Sequence, residues 1–261
     1  MRLYARNERR VQFPFDKILR NCSNLCEFNS TAFDRIRWNP SKMPKVLDLE
    51  RLTLMGWCNV KISKTIIERC PNLKSLDIGC LKVSKKYSDY RIDLAGITSS
   101  LLCLRLRGIH YTSENIRCFM RSRGYSLETF YYSSYVTSVS TVCEPNFFTS
   151  LVQILYESCI MLKEVELRLV QQNAFGPLDL LSPLYNLERM VIITEQRNLT
   201  VEMLETIVGN SPSLKYVIIV SNHVKEADLY GLCRKYCPAI KEYKCFPFSW
   251  DFVIQGNPGK I

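Results

Sequence analysis

The chain has 261 residues, of which 47% are hydrophobic and 23% are charged. This composition is typical of a folded globular protein and excludes a disordered one. It has no run of eighteen apolar residues, which excludes a membrane-spanning helix. No apolar segment follows its first residues, so we do not expect a secretory signal. Lys and Arg number 35 against 25 acidic residues, giving a net charge of +10.

Residues 1–13 are predicted to form a basic arm that contains Arg2, Arg6, Arg9 and Arg10. We interpret it as a solvated segment with at most non-specific affinity for acidic partners. The sequence has no zinc-finger, RNP or helix-turn-helix signature, so specific nucleic-acid binding is not expected. A mitochondrial presequence is the alternative interpretation of this arm, although Glu8 within it and Asp16 just after it interrupt the basic stretch.

From residue 14 to residue 246 one sequence frame recurs nine times. Its template is the segment 70–78, CPNLKSLDI, a turn followed by the pattern L-x-x-L-x-apolar. The anchors of the nine frames are Leu25, Leu49, Leu73, Leu101, Leu127, Leu162, Leu187, Leu214 and Ile240. They are about 27 residues apart on average, a spacing typical of leucine-rich repeats. Among the positions three and five residues after each anchor, only Ser30 breaks the apolar pattern.

A helix is predicted upstream of five anchors, where two apolar residues stand four apart and share a helix face. These pairs are Ile62/Ile66, Ile116/Met120, Leu151/Leu155, Met203/Ile207 and Leu229/Cys233. Ser63, Thr112 and Thr200 stand where helix N-caps are expected. The sequence therefore predicts an α/β leucine-rich-repeat solenoid: a curved right-handed strand–helix superhelix of about nine repeats, with a parallel sheet on its concave face.

Three segments depart from the frame. Residues 31–46 contain Pro40 and Pro44 and are predicted to be irregular. Residues 133–145 are predicted to be an inserted exposed loop, with a functional lid as the alternative. Residues 247–261 follow the last frame as an aromatic tail. The tail either caps the solenoid or is an exposed binding element.

Alternation along each strand predicts that residues two, four and six after the anchor face the concave surface. The candidate partner contacts on that surface are Arg51, Asp77, Arg105, Arg107, Tyr131, Glu164, Arg168, Val191, Ile193, Tyr216, Ile218 and Val220. The apolar members from Val191 to Val220 have two interpretations. They form an exposed interface, or the tail covers them and the polar stretch containing Arg105 and Tyr131 becomes the better contact site.

The sequence contains no recognisable catalytic or metal-binding motif. Its twelve cysteines have no metal-ligand spacing, and His110 and His223 are far apart. We therefore expect reduced thiols packed as small hydrophobic residues. No glycine-rich phosphate loop or catalytic motif is present, so we expect neither an enzyme nor a cofactor.

The turns before the anchors resemble a known family. Cys70-Pro71-Asn72-Leu73 and Cys237-Pro238-Ala239-Ile240, with weaker forms at residues 22–25 and 211–214, resemble the cysteine-containing leucine-rich repeats of F-box/leucine-rich-repeat proteins. In that family the solenoid grips a substrate protein, and an F-box holds the adaptor of a cullin-type ubiquitin ligase. No Leu-Pro-x-Glu-type F-box opening occurs in this sequence.

The resemblance implies a non-enzymatic module that binds a protein on its concave face, as the substrate receptor of a ubiquitin ligase. A cullin-type ligase adaptor is a further expected partner if an F-box lies upstream. We expect a cytoplasmic or nuclear monomer that does not insert into membranes. A repeat-only scaffold and a mitochondrial complex-assembly factor are the alternatives.

Overall fold

The computed structural model describes residues 2–5, 13–22, 24–30, 36–37, 40–55, 60–79, 94–97, 99–108, 113–134, 146–169, 181–195 and 199–249. The strands in these ranges are β1 (Arg2–Ala5), β2 (Phe13–Pro14), β3 (Glu27–Ser30), β4 (Ile36–Arg37), β5 (Arg51–Met55), β6 (Ser75–Gly79), β7 (Cys103–Arg107), β8 (Thr129–Ser134), β9 (Glu164–Leu169), β10 (Arg189–Thr194), β11 (Tyr216–Val220) and β12 (Glu242–Phe246).

The same described ranges contain six α-helices. They are α1 (Phe15–Asn21), α2 (Val60–Glu68), α3 (Ser113–Arg123), α4 (Phe147–Ser158), α5 (Val201–Gly209) and α6 (Glu226–Tyr236). The longest, α4, has 12 residues. Within the described ranges, no helix has both the length and the apolar character needed to cross a membrane.

Ten of the strands form one open parallel sheet in the order β1-β3-β5-β6-β7-β8-β9-β10-β11-β12. The strands of this sheet follow one another in space in the same order as along the chain, which is the arrangement of a solenoid. The register keeps the frame aligned, since Leu76 lies opposite Leu52 on one side and Leu104 on the other. The predicted α/β architecture with a parallel sheet is therefore confirmed.

The sheet begins earlier than predicted. Arg2–Ala5, which we assigned to a solvated arm, form β1 and pair in parallel with β3. Leu3 lies opposite Phe28, a core position of the frame. The sequence signal for this strand was the short run of Leu3, Tyr4 and Ala5, and the basic composition around it hid that signal.

The hydrophobic core lies between the sheet and the helices. The anchors, the residues three and five after them, and the inward faces of the helices form one buried cluster. Leu104, Leu106, Ile116 and Met120 have no exposed surface. Each such side chain contributes about 1.5–3 kcal/mol by leaving water. Ser30 occupies the same kind of core position and is also fully buried.

One hydrogen-bond arrangement recurs where each turn enters a strand. The N–H groups of Lys74 and Ser75 both donate to the Glu50 carbonyl, at 2.8 and 3.0 Å. Equivalent pairs of donors, from the first two residues after an anchor, occur at all eight intervals between the nine anchors. The anchor N–H itself bonds back into the turn, as from Leu73 to the Cys70 carbonyl. These shared carbonyls satisfy the buried backbone at each turn and fix the register between neighbouring strands.

The predicted helix starts have different outcomes. Thr200 is the N-cap of α5, and its hydroxyl accepts a hydrogen bond from the Met203 N–H at 3.3 Å. The prediction for Ser63 is wrong, because α2 begins at Val60 and Ser63 lies inside it. Thr112 and most of the predicted loop at residues 133–145 lie outside the described residues. Within 40–46, and at 36–37, the structure shows a 3₁₀ helix and a short strand but no α-helix.

Candidate functional site

The candidate site lies on the open face of the sheet, which we define as the face opposite the helices. It carries the residues two, four and six after each anchor. On β7, for example, Leu104 and Leu106 point into the core while Arg105 on the other face is exposed. All twelve predicted contact residues lie on this face, but they differ widely in exposure.

A row of interacting side chains crosses the open face from β6 to β9. Arg107 donates to the Asp77 carboxylate at 2.8 Å. Its guanidinium lies over the Tyr131 ring, 5.0 Å from the ring centroid. The Arg168 guanidinium also lies over this ring, 5.4 Å from its centroid, and Arg168 pairs with Glu166 at 2.5 Å. These contacts restrict the movement of the Arg107 and Tyr131 side chains.

Arg168 is the most unusual member of this row, because its side chain has no exposed surface. A buried guanidinium is tolerated only when an acid neutralises it, and its Nε atom donates to Glu166 at 2.6 Å. Arg189 on β10 approaches the same carboxylate at 4.0 Å. Arg168 was predicted as a partner contact, but its burial makes it part of the support beneath the surface.

Asp77 is also largely buried. Loss of solvent raises the pKa of its carboxyl, and the nearby Arg107 and Arg105 oppose that change. Only one carboxylate oxygen of Asp77 bonds to Arg107. In the described part of the molecule, its buried Oδ1 and the buried Nε of Arg107 have no hydrogen-bond partner.

A cavity of about 170 Å³ opens on this face between β7 and β9. It is lined by Arg105, Arg107, Thr129, Phe130, Tyr131, Glu164, Val165, Glu166 and Arg189. We call this cavity the recess. Arginines on β7 stand on one side and glutamates on β9 on the other, with β8 between them. Sites for drug-sized molecules occupy about 300–1,000 Å³, so the recess suits a single side chain.

The predicted apolar patch is not an exposed surface. Its members form a separate hydrophobic cluster on the open face: Val191, Ile193, Ile218 and Val220. Three of them are fully buried and Ile218 is 8% exposed. Phe246 and Phe248 pack against this cluster, and the Phe248 N–H donates to Asn222 at 2.9 Å. The first residues of the tail thus help to close this end of the face, and Tyr216 remains half-buried at its border.

The remaining predicted contact, Arg51, lies at the other side of the sheet on β5. Its side chain is 61% exposed and lies 4.0 Å from Glu27. It is separated from the recess by β6. The structure therefore groups Arg105, Arg107, Tyr131 and Glu164 around the recess and leaves Arg51 outside it.

Sequence reasoning missed a row of exposed apolar side chains at the turns. Tyr125, Ile160 and Tyr185 are 52%, 61% and 67% exposed. Each stands two residues before an anchor, in three consecutive repeats, where the template has Pro71. A comparison of this one column across the nine frames would have found it.

Ion pairs between successive turns were also missed. Lys74 pairs with Glu50 at 3.0 Å, Lys163 with Glu128 at 3.1 Å and Lys215 with Glu188 at 2.7 Å. All six residues directly follow an anchor. The hydrogen bond from Lys215 lowers the pKa of the Glu188 carboxyl. Because these pairs are exposed, each contributes little, about 0–1 kcal/mol.

The described cysteines are free thiols. Burial raises the pKa of Cys70 and of Cys159 to about 12, so both stay protonated and unreactive. Among the described residues, no cluster of His, Cys, Asp and Glu is arranged to hold a metal ion. His223 is exposed, and His110 lies outside the described residues.

The comparisons with known proteins identify no relative. No model of a known protein family matches the chain, and no curated protein matches it significantly.

Proposed function

We propose that this chain is a leucine-rich-repeat protein that binds another protein on its open face, without catalytic activity. The frame of about 27 residues and its recurring turn hydrogen bonds support the repeat type. Solenoids of this kind use a continuous sheet face as a binding surface.

The observation that carries the proposal is the division of the open face into two parts. At β10 and β11 it carries a closed apolar cluster. From β7 to β9 it presents the recess, with Arg105 and Glu164 exposed at its rim and Tyr131 in contact with two arginines. Arginine and tyrosine held in fixed positions are favoured anchors in protein interfaces.

The resemblance to F-box/leucine-rich-repeat proteins extends the proposal to substrate recognition for a ubiquitin ligase. In this role the partner on the open face is the protein to be degraded, in the cytoplasm or nucleus. A repeat-only scaffold is the alternative, with the same surface and no ligase partner. A mitochondrial assembly factor is a further alternative, suggested by the basic residues near the N-terminus.

Crosslinking followed by affinity purification from cells tests the proposal. The bait is the chain itself, compared with a variant that combines Arg105→Ala, Glu164→Ala and Arg189→Ala at the recess. The control variant combines Lys74→Ala, Lys163→Ala and Lys215→Ala, which alter the turn edge away from the recess. Circular dichroism must show that both variants are folded.

We expect proteins that are recovered with the chain and with the control but lost with the recess variant. A cullin and its adaptor among the recovered proteins support the ligase role, and their absence favours the scaffold. Recovery of mitochondrial proteins with an N-terminally cleaved chain favours the assembly factor. Identical sets of proteins from all baits refute binding through the open face.

A further inference from the structure

The charges that line the recess are not balanced. The lining contains three arginines and two glutamates. Glu166 is already shared between Arg168 and Arg189, and Arg107 is paired with Asp77. In the described part of the chain, no carboxylate lies within 4.0 Å of the Arg105 guanidinium, and no cation lies within that distance of Glu164. The recess therefore keeps one available positive charge on its β7 side and one available negative charge on its β9 side.

The β7 side is the better prepared of the two. Arg107 is fixed by Asp77 at 2.8 Å and by the Tyr131 ring at 5.0 Å, so it loses little freedom when it binds a ligand. Its buried Nε has no acceptor among the described residues. Arg105 stands two residues away on the same face of β7, exposed beside it. The planar guanidinium group of an arginine matches the two oxygens of a carboxylate, and Arg105 and Arg107 supply two such groups.

We propose that the recess binds one carboxylate side chain, Asp or Glu, of the partner protein, between Arg105 and Arg107. The inference rests on the proposed function for the statement that the partner is a protein. Its volume admits one side chain, and its lining includes Thr129 and Tyr131. On its β7 side, Arg105 and the fixed Arg107 attract a negative charge. Glu164 across the recess repels the same ligand and thereby limits its affinity.

A titration with small probes tests the charge that the recess selects. The probes are the doubly blocked amino acids N-acetyl-glutamate-N-methylamide, its glutamine analogue and its lysine analogue. Side-chain NMR signals of arginine Nε–H groups report binding to the intact chain. We expect the glutamate probe to shift the Arg105 and Arg107 signals with a dissociation constant of about 1–10 mM, the range for a single contact. The glutamine and lysine probes should produce no saturating shift.

Two substitutions that remove a single charge give opposite expected effects. Arg105→Gln should weaken glutamate binding about two- to fivefold, and Glu164→Gln should strengthen it by a similar factor, as for partly exposed charges. Both side chains are exposed, so folding should be unaffected. The control is Lys163→Gln, which removes a charge next to Glu164 in sequence but on the turn edge, and which should leave the affinity unchanged.

Any of three results would overturn the inference. They are preferential binding of the lysine probe, equal binding of the glutamate and glutamine probes, and a change of affinity in the same direction in both charge variants. Failure of the probes is distinguishable from failure of the proposed function, because the titration uses no partner protein. If the probes fail while purification depends on the recess, the open face still binds a protein through other contacts. If the probes bind and purification finds no partner, carboxylate binding in the recess is supported and the proposed protein-binding function is refuted.

Discussion

Among the contacts on the open face, the buried ion pair between Arg168 and Glu166 should have the largest effect on the free energy of unfolding. Replacing Glu166 with alanine leaves the fully buried guanidinium without the carboxylate at 2.5 Å that neutralises it. Removing one partner of a buried pair costs about 3–5 kcal/mol. Glu166 is 15% exposed, so we expect the lower end, about 3 kcal/mol, a decrease in Tm of about 6–12 °C.

Urea denaturation followed by circular dichroism measures this loss. The matched control is Glu164→Ala, two residues earlier on the same strand and exposed, which should change the free energy of unfolding by less than about 0.5 kcal/mol. In the Glu166→Ala background, Arg168→Met should recover most of the loss, because the buried charge is gone. A loss below about 1 kcal/mol for Glu166→Ala, or purely additive effects in the double variant, would refute the idea that the two charges depend on each other.

Three further predictions concern single buried groups. The buried Ser30 hydroxyl has no hydrogen-bond partner in the described part of the chain, so Ser30→Ala should stabilise the protein by about 1 kcal/mol, measured as a Tm increase of about 2–4 °C. Because burial raises the pKa of Asp77 above its ordinary 3.8, stability contributed by the protonated carboxyl is lost as pH rises past that value. Wild type should therefore lose stability relative to Asp77→Asn as pH rises above about 4 in parallel denaturation series. Iodoacetamide at pH 8 should label the exposed Cys118 before the buried Cys70, whose thiol pKa is about 12, as read by peptide mass spectrometry.

Each of these has a clear contrary result. A lower Tm for Ser30→Ala would show that the hydroxyl has a favourable contact. A relative stability of wild type and Asp77→Asn that is independent of pH would show that Arg107 and Arg105 cancel the effect of burial. Labelling of Cys70 as fast as Cys118 in the native protein would show that the core around α2 opens readily.

The strands could be predicted from the sequence because their signal is repeated and physical. Leu76, Leu104 and their equivalents must all be buried by the same face of one sheet, so nine weak patterns reinforce each other. Helix starts could not be placed as well. An N-cap contributes about 1 kcal/mol, which is too little to fix the start of α2 at Ser63.

The candidate site could be predicted only as a set of residues on a face. Alternation placed Asp77, Arg107 and Tyr131 together, but their pairing depends on side-chain conformations that no spacing encodes. The burial of Arg168 was not foreseen, because a strand position alone does not show what covers it. Closure of the apolar cluster depends on Phe248, which reaches it through the path of the chain after β12.

Because the turn carbonyls link each repeat to the next, this chain can gain or lose whole repeat units more easily than single residues. Excision of residues 101–126 would bring the N–H groups of Glu128 and Thr129 to the Lys74 carbonyl, now occupied by the N–H groups of the Leu102 turn. It would also set Glu128 beside Lys74, where Leu102 now interrupts the ion pairs. One extra residue at the same boundary would instead move every following core side chain of that strand to the wrong face. The architecture thus permits evolution by whole modules and penalises small insertions at the strand entrances.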